Sequence, residues 1–372
     1  MKRLLAAGGQ VLLVDVPEPQ VGRGDVLVET INSVVSTGTE THIIRASVSP
    51  EALETDQYPR STPFGPQIRG RGVQWHGPRP NRAPPGYASL GYSLAGRVIA
   101  VGEDVADLTP GDLVACSGNQ CSVHAERVAV PRNLIARVPP GVKLEDAAFV
   151  TLGSVAIHGL RRTGCQFGET VVVVGLGVLG LLAVQVARTA GMRVLGVDPN
   201  GERRDQARML GAHEVIGADS TEAIALVKRT TDGFGADGVL VMAATESSDA
   251  LNLAFDLCRQ RGAVVGVGLF GMCIDRARMF GADVAFYPSV AYGPGRYDPV
   301  YEEGGVDYPI GYARWTENRN MQLFLQLLLD GRLQVQPLAP LQVPLHEAPA
   351  AYRVLLEDAH RPPTVVIRYG ST

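Results

Sequence analysis

The chain has 372 residues, 45% of them hydrophobic and 19% charged, with a formal net charge of −4. That length allows two or three separate cores, and the mild acidity excludes a whole-surface nucleic-acid or membrane-binding role. No apolar run approaches the roughly 20 residues that span a bilayer, and five scattered cysteines (Cys116, Cys121, Cys165, Cys258, Cys273) suit reduced thiols in a cytoplasmic protein.

The N-terminus, MKRLLAAGGQVLLVDVPEP, reads as a first strand pair rather than a signal peptide. Short strands broken by Gly, Pro and Asp continue to about residue 45, among them VLVETINSVV (26–35). Directly after it, STGTETH (36–42) sets hydroxyls, a carboxylate and an imidazole at the end of a buried strand. Such a segment is a metal site, a proton relay, or a polar turn that satisfies its own backbone. Residues 46–90 form a long irregular excursion rich in Pro, Gly and Arg. No Asp or Glu occurs from 57 to 102, whereas Arg60, Arg69, Arg71, Arg79, Arg82 and Arg97 do. This is a solvated loop or a basic rim for an anionic substrate. Residues 91–150 return to strands with turn residues between them, as in a β-rich barrel-like domain.

From 151 onward Val-rich strands alternate with helices: ETVVVVGLG, VLGLLAVQVARTAG, MRVLGVD, ERRDQARMLGA, HEVIG, TEAIALVKRTT, DGVLVMAA, SSDALNLAFDLCRQRG, AVVGVGLFG and ADVAFYPSV. That alternation predicts a parallel sheet covered on both faces. After about 291 come a Tyr- and Arg-rich loop, a helix in ENRNMQLFLQLLLDG, and a closing helix–strand pair in HEAPAAYRVLLED and PTVVIRY.

VGLGVLG places Gly175, Gly177 and Gly180 in the G-x-G-x-x-G pattern between a strand and a helix. The first glycine permits a tight turn, the second lets backbone approach a pyrophosphate at the helix N-terminus, and the third lets helix and strand pack closely. With Val178 and Leu179 they form the expected phosphate loop. The second strand ends at Asp198, 23 residues after Gly175, where a carboxylate accepts from ribose hydroxyls and repels a 2′-phosphate. NAD is therefore expected over NADP, although Arg203 also suits a phosphate. Gly266 and Gly268 join the cofactor candidates.

A β-rich first part, a dinucleotide domain opening near 151, and a return of the chain after 291 resemble the medium-chain dehydrogenase/reductase superfamily. The resemblance implies an α/β fold: a β-rich GroES-like catalytic domain (1–150 and 296–372) plus a doubly wound Rossmann domain that binds NAD (151–295). Within the superfamily, STGTE, LGYSLAG and YGPGRYDPVYEEGGVDYPIGYARWTENRNM (292–321) look like the dehydrogenase half of the bi-domain oxidoreductases. Those proteins carry a further, sugar-dehydrogenase-like domain downstream, to which no part of these residues corresponds.

Zinc-dependent members have a Cys-x-x-Asp-x-His segment here; aligned on it, the metal-binding Cys is Thr37. Thr39 then matches the relay hydroxyl, Glu40 the acid behind the site, and His42 the relay imidazole. The next ligand, the His of Gly-His-Glu, corresponds to Tyr92, and the third falls near Val150–Thr151; the four-cysteine structural lobe is absent. Thr, Tyr and Val do not make a tetrahedral zinc site, so no zinc is expected. Cys116, Cys121 and His124 form a poor substitute and read as ordinary buried groups. Without zinc, hydroxyl donors must manage the charge on the substrate oxygen, which makes Thr39, Glu40, His42 and Tyr92 the catalytic candidates. The resemblance puts Ser154 near the nicotinamide; His158 reads as a packed helix histidine. Tyr292, Arg296, Tyr297, Arg314 and Trp315 are candidates to stack on a sugar or cyclitol and hold its anionic groups, or else to form a subunit edge.

The expected function is zinc-independent, NAD-dependent interconversion of a polar secondary alcohol (a sugar, cyclitol or natural-product intermediate) and its ketone. The alternatives are a reductase of activated C=C bonds, or a nucleotide-binding protein without catalysis. The expected partners are a small-molecule substrate and further copies of the chain in a homodimer or homotetramer, with no nucleic acid and no membrane.

Overall fold

In the computed structural model, residues 1–48, 83–357 and 362–370 are described; Arg60, Arg69, Arg71, Arg79 and Arg82 lie outside them. The chain divides into two compact units. The first comprises Met1–Thr151, Pro294–Leu325 and Ala339–Thr372; the second comprises Leu152–Gly293 and Gln326–Leu338.

In the first unit, β1 (Lys2–Ala7) and β2 (Gln10–Asp15) form an antiparallel pair. The long strand β3 (Asp25–Val34) runs into helix α1 (Thr37–Ala46). The segment read above as a possible polar turn is thus the first turns of a helix. Its amphipathic spacing explains this: Thr37, Glu40, Thr41 and Ile44 share the buried face, while His42 and Arg45 are exposed. Then follow β4 (Ala88–Ser89), β5 (Ser93–Val101), β6 (Leu113–Ser117), β7 (Arg127–Pro131), β8 (Ile135–Arg137) and the short helix α2 (Leu144–Ala147). Helix α3 (Val150–Thr163) carries the chain from the first unit into the second.

The second unit has six parallel strands: β9 (Thr170–Val174), β10 (Arg193–Val197), β11 (Glu214–Ile216), β12 (Ala236–Val241), β13 (Cys258–Gly266) and β14 (Ala285–Pro288). They are joined by helices α4 (Val178–Thr189), α5 (Gly201–Met209), α6 (Ser220–Thr230), α7 (Asp249–Leu257) and α8 (Arg276–Gly281). All five residues of β9 are buried, and four of them are valine, as a strand covered on both faces requires. The order β11-β10-β9-β12-β13-β14 starts in the middle and winds outward both ways, so the topological switch lies between β9 and β12. Two elements differ from expectation. Helix α7 stops at Leu257, because Cys258 pairs with Ala236 in the sheet and Arg261 has φ +59°. Helix α8 was not expected; Asp275 caps it by accepting from the Ala277 N–H at 2.9 Å.

The returning chain adds α9 (Pro299–Glu302), α10 (Glu317–Leu329), β15 (Leu341–Pro344), α11 (Ala348–Glu357) and β16 (Val365–Arg368). Strands β15 and β16 complete the sheet β15-β16-β3-β5-β6-β8, with β7 also paired to β3. A core of Leu4, Val35, Ile44, Leu90, Tyr352, Leu355 and Ile367 joins α1 and α11 to this side of the unit. No helix among the described residues is long and apolar enough to cross a membrane.

Candidate active site

In the second unit, Gly175 follows β9 with φ +93°, and Gly177 is the N-cap of α4. That helix has no side-chain cap and no acidic residue in its first turn, which leaves its positive end for an anion. A Cβ built at Gly177 meets nothing within 4 Å, whereas one at Gly180 falls 1.9 Å from the Gly175 carbonyl oxygen. Space for a pyrophosphate and close helix–strand packing are therefore assigned to different glycines of the same loop, Val178 and Leu179 lying between them at the start of α4.

Asp198 follows β10 and is 2% exposed. Its Oδ2 accepts from the Leu176 N–H at 2.7 Å and its Oδ1 from the Asn200 N–H at 2.9 Å. These bonds aim the carboxylate at the glycine loop and leave lone pairs on both oxygens for ribose hydroxyls. Arg203 Nη1 lies 3.8 Å from Asp198 Oδ2, an ion pair that commits the one nearby cation singled out from the sequence. Gly266 and Gly268 lie at the C-terminal end of β13; a Cβ at Gly268 would stand 2.0 Å from the Ala243 carbonyl oxygen, so this glycine serves strand packing. Ser154 is fully buried on α3. Burial, then Arg162 and Arg161, push His158 down to about 4, so it is neutral at physiological pH.

In the first unit the sequence candidates separate. Thr39 is half-buried and His42 exposed, three residues apart on one face of α1. Glu40 is fully buried. Its Oε1 accepts from the Ser36 N–H at 2.7 Å, and its Oε2 lies 3.1 Å from His124 Nε2 and accepts from the Tyr352 hydroxyl. His124 Nδ1 is 2.7 Å from Ser33 Oγ, which in turn shares a 2.9 Å hydrogen bond with the Tyr369 hydroxyl. Tyr92, half-buried, donates its hydroxyl to Ser36 Oγ. Its carbonyl accepts from the Gly118 N–H at 3.1 Å and from Thr151 Oγ1 at 2.8 Å. The preceding Gly91 has φ +88°, and a Cβ there would fall 2.6 Å from the His124 nitrogen, so glycine is needed where this turn crosses His124. Ser36 and Tyr352 were not singled out as site residues from the sequence, although Ser36 opens the segment, and His124 was weighed only with Cys116 and Cys121 as a substitute metal set.

The donors at the superfamily's zinc positions do not suit that ion. Thr37 Oγ1 donates to the Pro363 carbonyl at 2.8 Å, Tyr92 to Ser36, and Thr151 to the Tyr92 carbonyl. All three are neutral hydroxyls already engaged, where zinc takes thiolate, imidazole or carboxylate. The trio of Cys116, Cys121 and His124 fares no better: burial pushes the Cys116 thiol far up, and both His124 ring nitrogens have partners. Among the described residues no group of three His, Cys, Asp or Glu side chains is arranged to hold a metal ion.

The loop candidates form two stacked pairs in the first unit. The Arg296 guanidinium lies 3.9 Å from the centre of the Tyr297 ring, and that of Arg314 lies 4.0 Å from the Trp315 ring. Arg296 also forms a buried ion pair with Glu302, whereas Arg314 is exposed. Tyr292 is 3% exposed and belongs to the second unit.

The model of the family described as zinc-binding dehydrogenase matches residues 178–302. Across 334 residues, 88% of this chain and 91% of the other, the sequence is 28% identical to D-guloside 3-dehydrogenase of Escherichia coli K12. It is 30% identical over 212 residues to an NAD-dependent alcohol dehydrogenase of Sulfurisphaera tokodaii, covering 49% of this chain and 60% of that one. Among solved structures, the alcohol dehydrogenase TADH from Thermus sp. ATN1 shares the fold at TM-score 0.73 and 23% identity, covering 100% of both chains. An oxidoreductase/dehydrogenase of unknown specificity from Escherichia coli reaches TM-score 0.76 at 17% identity, again covering 100% of both.

Proposed function

We propose that the chain is an oxidoreductase of the medium-chain dehydrogenase/reductase superfamily that interconverts, with NAD and without zinc, a polar secondary alcohol, a sugar or cyclitol in class, and its ketone. The observation that carries this reading is the hydroxyl pair of Tyr92 and Ser36, standing with engaged Thr37 and Thr151 where zinc-dependent members place their ligands. The substrate class draws support from the similarity to the guloside dehydrogenase over nearly the whole chain.

Oxidation of an alcohol removes a hydride from carbon and a proton from oxygen. When bound at Gly175–Gly180 and Asp198, NAD supplies the hydride acceptor. The chain's own residues must hold the alcohol oxygen and take its proton, or return it in reduction. Tyr92, whose own proton is given to Ser36, accepts the hydrogen bond of the alcohol hydroxyl. Thr39 and His42, on the more exposed face of α1, carry the proton to solvent.

Following NADH absorbance with a panel of glycosides, polyols, ketones and enones tests the reaction, and elemental analysis of the same protein tests the metal. We expect turnover with a polyol or glycoside at well under one zinc per chain, unaffected by a chelator. Stoichiometric zinc with chelator-sensitive activity, or turnover of enones alone, would reverse this assignment. Tyr92→Phe is expected to lower kcat about 10²-fold, the usual cost of losing one proton-transferring group at a reacting oxygen. Asp198→Ala should weaken NAD binding by about tenfold, the loss of roughly 1.4 kcal/mol of hydrogen bonding, and relieve discrimination against NADP. Unchanged NAD and NADP constants in that variant would refute the ribose role.

A further inference from the structure

We propose that Tyr352 and His124 are positioning residues for the Tyr92–Ser36 hydroxyl pair, acting through the buried carboxylate of Glu40. The inference rests on the reading above, that this pair meets the substrate oxygen. It adds two residues, one from the strand side of the unit and one from helix α11, to a site that the sequence confined to α1 and Tyr92.

Glu40 is 0% exposed, and a carboxylate at such depth persists only when its lone pairs are taken. Three donors reach it: the Ser36 N–H at 2.7 Å, the His124 Nε2 at 3.1 Å, and the Tyr352 hydroxyl. Each of the two outer donors is fixed in turn. Facing a carboxylate, which only accepts, His124 presents Nε2–H, and its Nδ1 lies 2.7 Å from the Ser33 hydroxyl, which Tyr369 meets at 2.9 Å. Burial and the neighbouring Glu40 push the Tyr352 phenol far up, so it remains a donor. The imidazole and the Tyr352 ring meet edge-on at a centroid distance of 6.4 Å and an angle of 62°. Glu40 therefore has little freedom to rotate, and its remaining bond ties down the backbone of Ser36.

Ser36 is the N-cap of α1, yet its side chain makes no cap hydrogen bond. The Glu40 carboxylate takes the Ser36 N–H, the reciprocal half of a capping box, while Ser36 Oγ, instead of capping the helix, accepts from Tyr92. A serine that capped its own helix would turn that oxygen toward the α1 N–H groups and away from Tyr92. The network of Tyr352, Glu40 and His124 thus keeps Ser36 Oγ pointed at the phenol.

The test uses 3-fluorotyrosine placed at position 92 and ¹⁹F NMR, which reports on that phenol whether or not a substrate is known. Tyr352→Phe should shift the resonance and, in the unlabelled protein, lower kcat about 5- to 30-fold while KM stays within twofold. The solvent deuterium isotope effect on kcat should rise as proton transfer becomes slower. His124→Asn reads the same coupling from the other side and takes over if Tyr352→Phe is not recovered folded. A variant with a lowered Tm but an unmoved ¹⁹F resonance would overturn the proposal and leave the network a plain core element. A moved resonance with unchanged kcat would uphold the coupling and instead remove Tyr92 from the chemistry, so the two readings fail separately.

Discussion

Gly180→Ala will weaken dinucleotide binding and cost the second unit about 1–3 kcal/mol of stability, whereas Gly177→Ala will weaken binding at least tenfold and leave stability nearly unchanged. The two glycines sit three residues apart in one motif, but their surroundings differ. A Cβ at Gly180 stands 1.9 Å from the Gly175 carbonyl oxygen and 2.9 Å from its carbon, both backbone atoms that cannot swing aside. Helix α4 would have to move off β9, a backbone overpacking of the kind that costs about 1–3 kcal/mol and sometimes more. At Gly177 the added methyl meets no protein atom within 4 Å, and the residue's φ of −70° suits alanine. Its methyl therefore costs the free protein little and instead occupies the approach to the helix N-terminus that a pyrophosphate needs. Thermal denaturation and NAD titration calorimetry on both variants check this. We expect Gly177→Ala to melt within about 2 °C of the parent, a shift that corresponds to about 0.5–1 kcal/mol for a unit of this size, with NAD affinity reduced at least tenfold. Full NAD affinity in Gly177→Ala would mean that the loop does not cradle the pyrophosphate.

The contrast between these glycines and the Tyr92 site shows what a sequence discloses. The second unit is legible because its signals are local: a run of valines, a glycine motif of six residues, and an aspartate one strand later. Each can be read within about 30 residues, the size of one βαβ unit. The first unit's site is built from contacts at long range. Glu40 meets His124 across 84 positions and Tyr352 across 312, and no periodicity links residues so far apart. Thr39, Glu40, His42 and Tyr92 were reachable as candidates through family likeness, but the partners of Glu40 were not, because the likeness gives Glu40 only as the acid behind the site. The fold places His42 on the exposed face of α1 and turns Glu40 inward to His124. Helix α8 was missed for a different reason. It is six residues long, too short to show an apolar period, and its only advertisement is the Asp275 cap.

The segment that follows the second unit's last strand carries the other large expected effect, an alkaline instability removed by Glu317→Gln. Glu317 opens α10, is 0% exposed, and among the described residues neither carboxyl oxygen has a hydrogen-bond partner. The nearby Arg296 is committed to Glu302, which also accepts from the Tyr297 N–H at 3.1 Å. Burial first, then the charge of Glu302, opposed by Arg296, and then Asp298 push Glu317 up to about 9. The folded chain thus holds a proton that the unfolded chain releases near the ordinary carboxylate value. Stability from this proton is complete below that ordinary value and is lost as pH rises toward and through about 9. The limiting slope is about 1.4 kcal/mol per pH unit. Glutamine has nearly the same shape as the protonated acid and cannot ionise, so the variant lacks the slope. Urea denaturation of both proteins at intervals from pH 5 to 9.5 should give curves that diverge steadily, with Glu317→Gln the more stable at the alkaline end. Parallel curves would mean that Glu317 is ionised at neutral pH and has a partner. Glu302→Gln offers the converse: it strips Arg296 of its carboxylate, Glu317 becomes the next available anion, and the alkaline slope should shrink because the guanidinium now favours its charged form.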